Sequence, residues 1–377
     1  MKRIICVLIL IVILCAVPAF AADWPMFRND ALHKAQDNEI LQPPLKQKWQ
    51  FSTQGKIISS PSVYKNAVLI GSRDEFIYCV NAETGGLNWK FKTSGWVDAS
   101  PAAFNDKVYI SSRDGNFYCL NFEDGKLLWK YTTGGTDFSS PLVEGNKVFC
   151  ASGFPNKFIY ALDSQTGKEI WKVETNQMVY SSAALSGDEL YIGSNDGYVY
   201  CLNKETGALV WKYQTKGGIY MASPAIDSNK LYIAAGDFDW SVYALNIDKG
   251  TEAWKYAIED NQPTPNYVST VAVSDNGLCI VAGYEQQYIY CLNALNGALQ
   301  WKQVLGPAAR YGFSSSACVT EDIVYVASAK GMLKGFEITT GQLKWQHELG
   351  AGVLSSPAIS DGKLFIATID GKLYSFE

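Results

Sequence analysis

The sequence predicts an all-β fold, an eight-bladed β-propeller of four-stranded antiparallel blades in which the N-terminal strand completes the last blade. One observation is an eleven-residue pattern, small residue first and tryptophan last, at 79–89, 119–129, 161–171, 201–211, 244–254, 291–301 and 335–345. A second is that apolar residues alternate between turn residues, without sustained helical periodicity. The third is the repeat length of 40 to 47 residues, which is typical of propeller blades.

Each repeat divides into four short strands, most clearly in residues 139–171. The segments SSPLV, KVFCAS, FIYALD and KEIW are separated by EGN, GFPNK and SQTG. The glycine before the fourth strand suits a tight turn because glycine adopts positive φ without strain. Pro141 and its equivalents stand at the first strand, and proline cannot donate to a sheet ladder. The first strand is therefore predicted to be an edge that lines the central channel.

The two ends of the chain are predicted to share one blade. Fourth-strand tryptophans number eight, at positions 49, 89, 129, 171, 211, 254, 301 and 345. The chain ends at KLYSFE, a third strand without a fourth, whereas Trp49 lies in LKQKWQF with no strands before it. Pairing these fragments would remove two exposed sheet edges. Each indole is expected to bury about 200 Å² against the next blade.

The first 21 residues predict a secretory signal peptide. Lys2 and Arg3 precede an apolar run over residues 4–17, and Ala19 and Ala21 provide a cleavage site. The run is shorter than the about 20 apolar residues that span a bilayer. We therefore expect a secreted or periplasmic protein that does not span a membrane, with a signal peptide at 1–21, an N-terminal extension at 22–45 and the propeller at 46–377. The bulky Leu14 before Cys15 argues against a lipoprotein signal.

Charge and cysteine usage exclude some classes of function. The formal net charge is −5, with no basic cluster of the kind that binds nucleic acid. Four cysteines open the repeat, in the slot that Ala or Gly fills elsewhere: Cys79, Cys119, Cys201 and Cys291. The slot therefore selects a small side chain rather than a disulfide. Pairing of Cys279 with Cys291 stays open, because these residues can face each other across a hairpin.

The repeated pattern, small-x-Asx-x-x-Thr-Gly-x-x-x-Trp, resembles the tryptophan-docking motif of PQQ-type repeat propellers. WPMFRND at residues 24–30 resembles the opening of secreted proteins built from such repeats. In size and predicted blade number the chain is similar to the BamB-type outer-membrane assembly propellers. The resemblance implies a non-catalytic scaffold that binds another protein.

The same resemblance includes quinoprotein dehydrogenases, which carry an adjacent-cysteine disulfide, a calcium site and a catalytic aspartate on inserted loops. No two cysteines are adjacent in this sequence, so no cofactor is predicted. A PQQ- or other small-molecule-dependent oxidoreductase remains the first alternative. A sensor or glycan-binding module is the second.

Catalytic and metal-binding signatures are sparse. The two histidines, His33 and His347, are far apart, and no His/Cys group has the spacing of a zinc or haem site. We predict neither catalytic nor metal-ligating residues. Five acidic residues are predicted in loops of one face, where a carboxylate pair is possible but solvated side chains are expected: Asp98, Asp137, Asp237, Asp239 and Glu285.

A binding surface is predicted on one face of the ring, where the loops between blades meet the loops between second and third strands. We call it the loop face. Aromatic and arginine side chains, which are enriched at binding hot spots, concentrate there. The predicted binding residues are Arg73, Trp96, Arg113, Tyr180, Tyr220, Trp240, Tyr267, Arg310 and Tyr311. About half of the rings are expected to plug the channel mouth instead, Met221 and Tyr180 first.

The opposite face has short, polar turns, so binding is predicted at the loop face. The predicted partner is another envelope or secreted protein, and the chain itself is expected to be a monomer. The longest loop there, residues 257–268, reads as an adaptable rim or a tolerated insertion.

Overall fold

The structure is a computed structural model that describes residues 23–37, 40–236, 239–258, 268–282, 288–306 and 315–377, apart from the side chains of residues 278, 279, 281 and 282. The predicted signal peptide lies outside these residues. All of the regular structure they contain is β. None of their segments is a helix with the length and apolar character needed to cross a membrane.

The described residues form 32 strands. The first sixteen are β1 (Gln47–Ser52), β2 (Ser62–Tyr64), β3 (Ala67–Gly71), β4 (Phe76–Asn81), β5 (Leu87–Lys92), β6 (Ala102–Phe104), β7 (Lys107–Ser112), β8 (Asn116–Asn121), β9 (Leu127–Thr132), β10 (Leu142–Glu144), β11 (Lys147–Ala151), β12 (Phe158–Asp163), β13 (Glu169–Glu174), β14 (Ala184–Ser186), β15 (Glu189–Gly193) and β16 (Tyr198–Asn203). The others are β17 (Leu209–Gln214), β18 (Ala225–Asp227), β19 (Lys230–Ala235), β20 (Ser241–Asn246), β21 (Thr251–Ala257), β22 (Ala272–Val273), β23 (Leu278–Ala282), β24 (Tyr288–Asn293), β25 (Leu299–Val304), β26 (Cys318–Val319), β27 (Ile323–Ala327), β28 (Met332–Glu337), β29 (Leu343–Glu348), β30 (Ala358–Ser360), β31 (Lys363–Ala367) and β32 (Lys372–Phe376).

These strands pair into eight four-stranded antiparallel sheets within the described residues. Seven sheets, which we number as blades 1 to 7 from β2 onward, each contain four consecutive strands. The remaining sheet, blade 8, has the order β1-β32-β31-β30, with Trp49 opposite Ser375. The N-terminal strand therefore completes this sheet, and the prediction of an all-β propeller with four-stranded antiparallel blades is confirmed.

The hydrophobic core lies between the blades. The third strand of each blade is buried along most of its length, as in β8, whereas the fourth strand alternates, as in β9, where Trp129 is the only fully buried side chain. A fourth strand has a sheet neighbour on one side only, so its outward residues face solvent. Each blade thus contributes two apolar faces to the interfaces with its neighbours.

The tryptophan of the repeat docks on the next blade. The Trp89 indole N–H donates to the Phe122 carbonyl at 2.7 Å. The same bond, at 2.7–3.2 Å, is made by Trp49, Trp129, Trp171, Trp211, Trp254 and Trp301. Gly125 of the motif turn has φ of 69°, and a Cβ there would lie 2.6 Å from the Trp89 ring. Glycine therefore serves the turn and also makes room for the indole.

The cysteines of the repeat occupy the small slot as predicted. Cys119 lies directly opposite Trp129 in the sheet. Six cysteines among the described side chains are buried free thiols, including Cys291. Burial raises the pKa of the Cys119 thiol to about 12, so the thiolate is disfavoured. The strand register places Cys291 opposite Ile280 and Cys279 opposite Leu292; the Cys279 side chain lies outside the description.

Residues 23–37, which we call the strap, run along the inner strands at the face opposite the loops. Trp24 exchanges two backbone hydrogen bonds with Val63 of β2, at 2.8 and 2.9 Å. Further along, strap carbonyls accept backbone N–H groups from the inner strands β6, β14, β18, β22 and β26, at 2.7–2.9 Å. The strap is thus bonded to six inner strands. It satisfies backbone groups that an open channel would leave to water.

Candidate functional site: the channel and its mouth

A closed ring of hydrogen bonds surrounds the channel. One hydroxyl residue at the start of each inner strand accepts the backbone N–H of its counterpart in the preceding blade, at 2.9–3.1 Å. We call these residues the belt: Ser60, Ser100, Ser140, Ser182, Ser223, Thr270, Ser316 and Ser356. The last bond, from Ser356 N–H to Ser60 Oγ at 2.9 Å, closes the ring. The Ser-Ser pairs that recur at the inner strands are therefore architectural.

The belt surrounds a chamber of about 70 Å³. The strap contributes Phe27 to its lining. The positions of the belt and the strap show which end of the channel is which. Asp98, in the loop face, lies two residues before the belt residue Ser100. Ala103, which bonds to the strap, lies three residues after Ser100. Each inner strand therefore runs from the loop face, through the belt, to the strap. The strap covers one end of the channel, and the loop face carries the mouth.

Residues two positions before the belt form the rim of the chamber. Those lining it in the described part of the chain are Ile58, Asp98, Phe138, Tyr180, Met221, Val268 and Leu354. The equivalent position in blade 7 lies outside the description. Tyr180, only 8% exposed, and Met221 thus line the channel, as the sequence suggested for these two.

Two of the predicted binding residues converge on one carboxylate. Arg73 Nε and Nη2 lie 2.8 and 3.1 Å from the two oxygens of Asp98, a bidentate pair. Arg113 Nε lies 2.7 Å from Asp98 Oδ2, and the Asp98 side chain is fully buried. Burial lowers the pKa of the Arg113 guanidinium, while the Asp98 charge opposes that shift. Asp98 therefore fixes both guanidinium groups in position.

Aromatic rings extend this cluster around the mouth. The Trp96 ring lies 4.6 Å from Arg73 Cζ and 5.1 Å from Arg113 Cζ, within cation–π distance. Arg113 Cζ lies 4.0 Å from the Phe138 ring. Rings then follow in sequence, with Phe138 to Tyr180 at 5.0 Å and Tyr180 to Tyr220 at 5.2 Å. We call this continuous set the arc: Arg73, Trp96, Arg113, Phe138, Tyr180 and Tyr220.

The arc, as defined by these contacts, contains none of the other four predicted binding residues. Trp240 packs against the hydrophobic cluster of blades 4 to 6. Tyr267, Arg310 and Tyr311 lie outside the described residues, as does most of the 257–268 loop. The structure therefore brings together five of the nine predicted residues, and their role in binding stays a prediction.

The expectation that the loop-face carboxylates are solvated is wrong for three of them. Asp98 is buried in the arginine pair. Asp137 is buried beside Thr133 Oγ1 at 2.7 Å, and burial raises its pKa well above the usual range. Asp239, also fully buried, lies 2.7 Å from Lys255 Nζ. Sequence position put these residues in loops but did not show that the loops fold back onto the ring. Asp237 and Glu285 lie outside the description.

Phe138 and Phe27 belong to the site but were not predicted from the sequence. Phe138 links Arg113 to Tyr180, and Phe27 lines the chamber from the strap. A signal for Phe138 was present, because it stands two residues before a belt serine, like Asp98 and Tyr180. Phe27 had no comparable signal in the repeat pattern.

The described residues do not form a metal centre. No group of three or more His, Cys, Asp and Glu side chains among them is placed to hold a metal ion. His33 is a buried residue of the strap, and burial lowers its pKa to about 3, so its imidazole is neutral. His347 packs on the Phe376 ring at 4.9 Å.

Solved structures with this architecture have different activities. BamB from Moraxella catarrhalis is 15% identical, with a TM-score of 0.74 over 89% of this chain and 98% of that one. Quinohemoprotein alcohol dehydrogenase from Comamonas testosteroni is 13% identical, with a TM-score of 0.80 over 94% and 80%. The computationally designed Ika8 protein is 17% identical, with a TM-score of 0.71 over 88% and 99%. At these identities the likeness shows the fold alone.

No curated protein matches the chain. One PQQ-repeat family model, described as outer membrane protein assembly factor BamB, matches residues 46–152, 73–176, 155–312 and 285–377. These overlapping matches extend over the whole propeller, from β1 to β32. The repeated tryptophan docking and the matched family model show that the chain belongs to this BamB-like family of PQQ-repeat propellers.

Proposed function

We propose that the chain is an exported, non-catalytic scaffold that binds another envelope or secreted protein through the arc. The observation that carries the proposal is the exposure of aromatic surface around fixed arginines. Trp96 is 44% exposed and neighbouring Phe154 is 64% exposed. Because Asp98 already holds Arg73 and Arg113, fewer rotamers are lost when a partner binds. Family membership supports an assembly role of this kind.

Other exposed apolar residues are arranged differently. The fourth strands of most blades expose aliphatic side chains at 41–53%: Leu87, Leu127, Leu128, Ile170, Leu209, Val210, Leu299 and Leu343. These recur around the whole circumference, so they follow from the repeat. The arc is confined to blades 1 to 5 and combines aromatic rings with guanidinium groups, which is the composition of binding hot spots. We therefore place the partner at the mouth of the channel.

A photo-crosslinking experiment in cells tests this assignment. A crosslinking amino acid at Phe154 is expected to capture one specific protein, and Trp96→Ala in the same chain is expected to abolish that product. The matched control places the crosslinker at Leu295, 73% exposed at a turn of the opposite face. Equal products from both positions, or a Phe154 product unaffected by Trp96→Ala, would assign the partner elsewhere.

Export is tested separately by N-terminal sequencing of the mature protein. Cleavage after Ala21 should give a chain that begins at Ala22. Recovery from the cell with residues 1–21 retained would contradict the proposed localisation.

A PQQ- or other small-molecule-dependent oxidoreductase is the second candidate, favoured by the shared fold of the quinohemoprotein dehydrogenase. The chamber of about 70 Å³ is smaller than the about 300–1,000 Å³ of typical cofactor sites, which favours the scaffold. Incubation with PQQ and Ca²⁺, followed by gel filtration, separates the candidates. A quinone chromophore that elutes with the protein would favour the enzyme.

A further inference from the structure

We propose that the chamber binds a small monovalent anion, of the halide or carboxylate class, through the hydroxyl protons of the belt. Each belt oxygen accepts one backbone N–H, as described above. None of the eight hydroxyls donates to an acceptor among the described residues. A Ser or Thr hydroxyl carries one proton to donate, so eight donors remain, and seven of these residues, all but Ser223, line the chamber.

Several serines next to the belt differ from it, although Ser139 Oγ also has no partner among the described residues. Ser59, Ser181 and Ser355, each one residue earlier, donate to the carbonyls of the following residues at 3.3–3.4 Å. The belt hydroxyls have no such partner, although their residues are only 1–7% exposed. Buried donors are normally paired, with protein, water or a ligand. An acceptor inside the chamber would satisfy several of them together.

The charge below the belt favours an anion. Arg28, adjacent to Phe27 in the strap, is 2% exposed and donates to the carbonyls of Val271 and Ala317. These two residues directly follow the belt residues Thr270 and Ser316. Within the described residues Arg28 forms no ion pair, and its buried Nε has no partner. Burial lowers the pKa of this guanidinium to about 9, so it stays charged at neutral pH. The Asp30 charge partly offsets this shift, but a buried guanidinium without a direct ion pair is still costly.

The carboxylates near the chamber each have a hydrogen-bond or ion-pair partner, although Asp137 Oδ1 has none among the described residues. Asp98, the one carboxylate among the described lining residues, is held by Arg73 and Arg113. In the adjoining loops Asp74 accepts from the Tyr78 hydroxyl at 2.7 Å, and Asp114 accepts from the Tyr118 hydroxyl at 2.6 Å.

Asp137, with its raised pKa, accepts from Thr133. The chamber is also small enough to select a halide or a single carboxylate with a few waters, since one water needs at least about 10–15 Å³ of such volume.

Crystals soaked in sodium bromide test the site directly. We expect an anomalous bromide peak inside the belt. A second soak in bromide with excess sodium acetate distinguishes the two sources: loss of the peak assigns carboxylates as well as halides, and its persistence assigns halides alone. A chamber that contains only water, without anomalous signal, would overturn the proposal.

Variants then test the charges by chloride-35 NMR line broadening in solution. Asp98→Asn removes the lining negative charge and should tighten binding about tenfold, whereas Arg28→Met should weaken it about tenfold. Lys34→Met is the matched control, because Lys34 is in the same strap but pairs with Asp227 and Asp275.

Equal chloride affinities of Asp98→Asn and Lys34→Met would contradict the anion site. This comparison does not need Arg28→Met, so it can be made even if that variant does not fold. The inference is independent of a docked protein. Loss of the Phe154 crosslink would leave it intact, and a water-filled chamber would leave the scaffold proposal intact.

Discussion

The two ends of the channel are built from the same eight inner strands but differ in how far their side chains are exposed. At one end the strap bonds to the strands, and Trp24 is 2% exposed. At the mouth Trp96 is 44% exposed and stacks only on guanidinium groups and their neighbours. One end is sealed by the chain itself, and the other presents rings and charges to solvent. We infer that stability is concentrated at the strap and binding at the mouth.

Comparing the two tryptophans gives the largest expected effect. Trp24→Ala removes a fully buried indole and should lower the free energy of unfolding by about 3–5 kcal/mol. Trp96→Ala should change it by less than about 1 kcal/mol, because the ring is partly exposed. Urea titrations of both variants measure the difference. Equal losses would show that the mouth is as structural as the strap.

Substitutions of two glycines test the interface between blades, which extends from one end of the channel to the other. Gly125→Ala should cost about 2–4 kcal/mol, since its φ is 69° and the new Cβ would overlap the Trp89 ring. Gly145→Ala has a similar φ of 59° but open space, so it should cost about 1–2 kcal/mol. Thermal unfolding gives both values. A Gly145→Ala loss as large as that of Gly125→Ala would contradict the docking role of the turn glycine.

Acid should weaken the strap end through His33. Its folded-state pKa, about 3, lies below the ordinary value of 6.5, so the unfolded chain binds more protons. The stability this provides is present above pH 6.5 and is lost as the pH falls toward 3. At pH 5 the loss should be about 2 kcal/mol. His33→Gln, which cannot titrate, should show a flatter profile in urea titrations from pH 7 to pH 5; an unchanged slope would argue against a buried neutral imidazole.

The mouth should respond to pH with the opposite sign. Burial raises the folded-state pKa of Asp137 above its ordinary value of 3.8, so the folded chain binds the extra proton. Its contribution is present below pH 3.8 and is lost as the pH rises through the folded-state pKa. The free energy of unfolding of Asp137→Asn, relative to that of the wild type, should therefore be higher at pH 8 than at pH 4. If Asp137→Asn instead loses stability relative to the wild type between pH 4 and pH 8, this sign is wrong.

Much of the fold could be predicted because each repeat contains the same local sequence signals. Alternation marked the strands, Thr-Gly marked the turns, and Trp49 and the terminal KLYSFE together indicated the shared blade. The loop face could also be predicted, since it follows from blade topology. The arrangement of its residues could not, because Arg73, Asp98 and Arg113 come from different loops and meet only when neighbouring blades dock.

The sequence by itself determined the blade pattern, the small slot opposite each tryptophan and the crowding of aromatic and arginine residues on one face. Only the tertiary structure decided that the strap covers one end of the channel, that Asp98 is buried between two arginines and that eight hydroxyls close into a belt. The physical reason is range. Periodicity and turn chemistry act within a few residues, whereas belt, strap and arc join groups that lie tens to hundreds of residues apart until the ring closes.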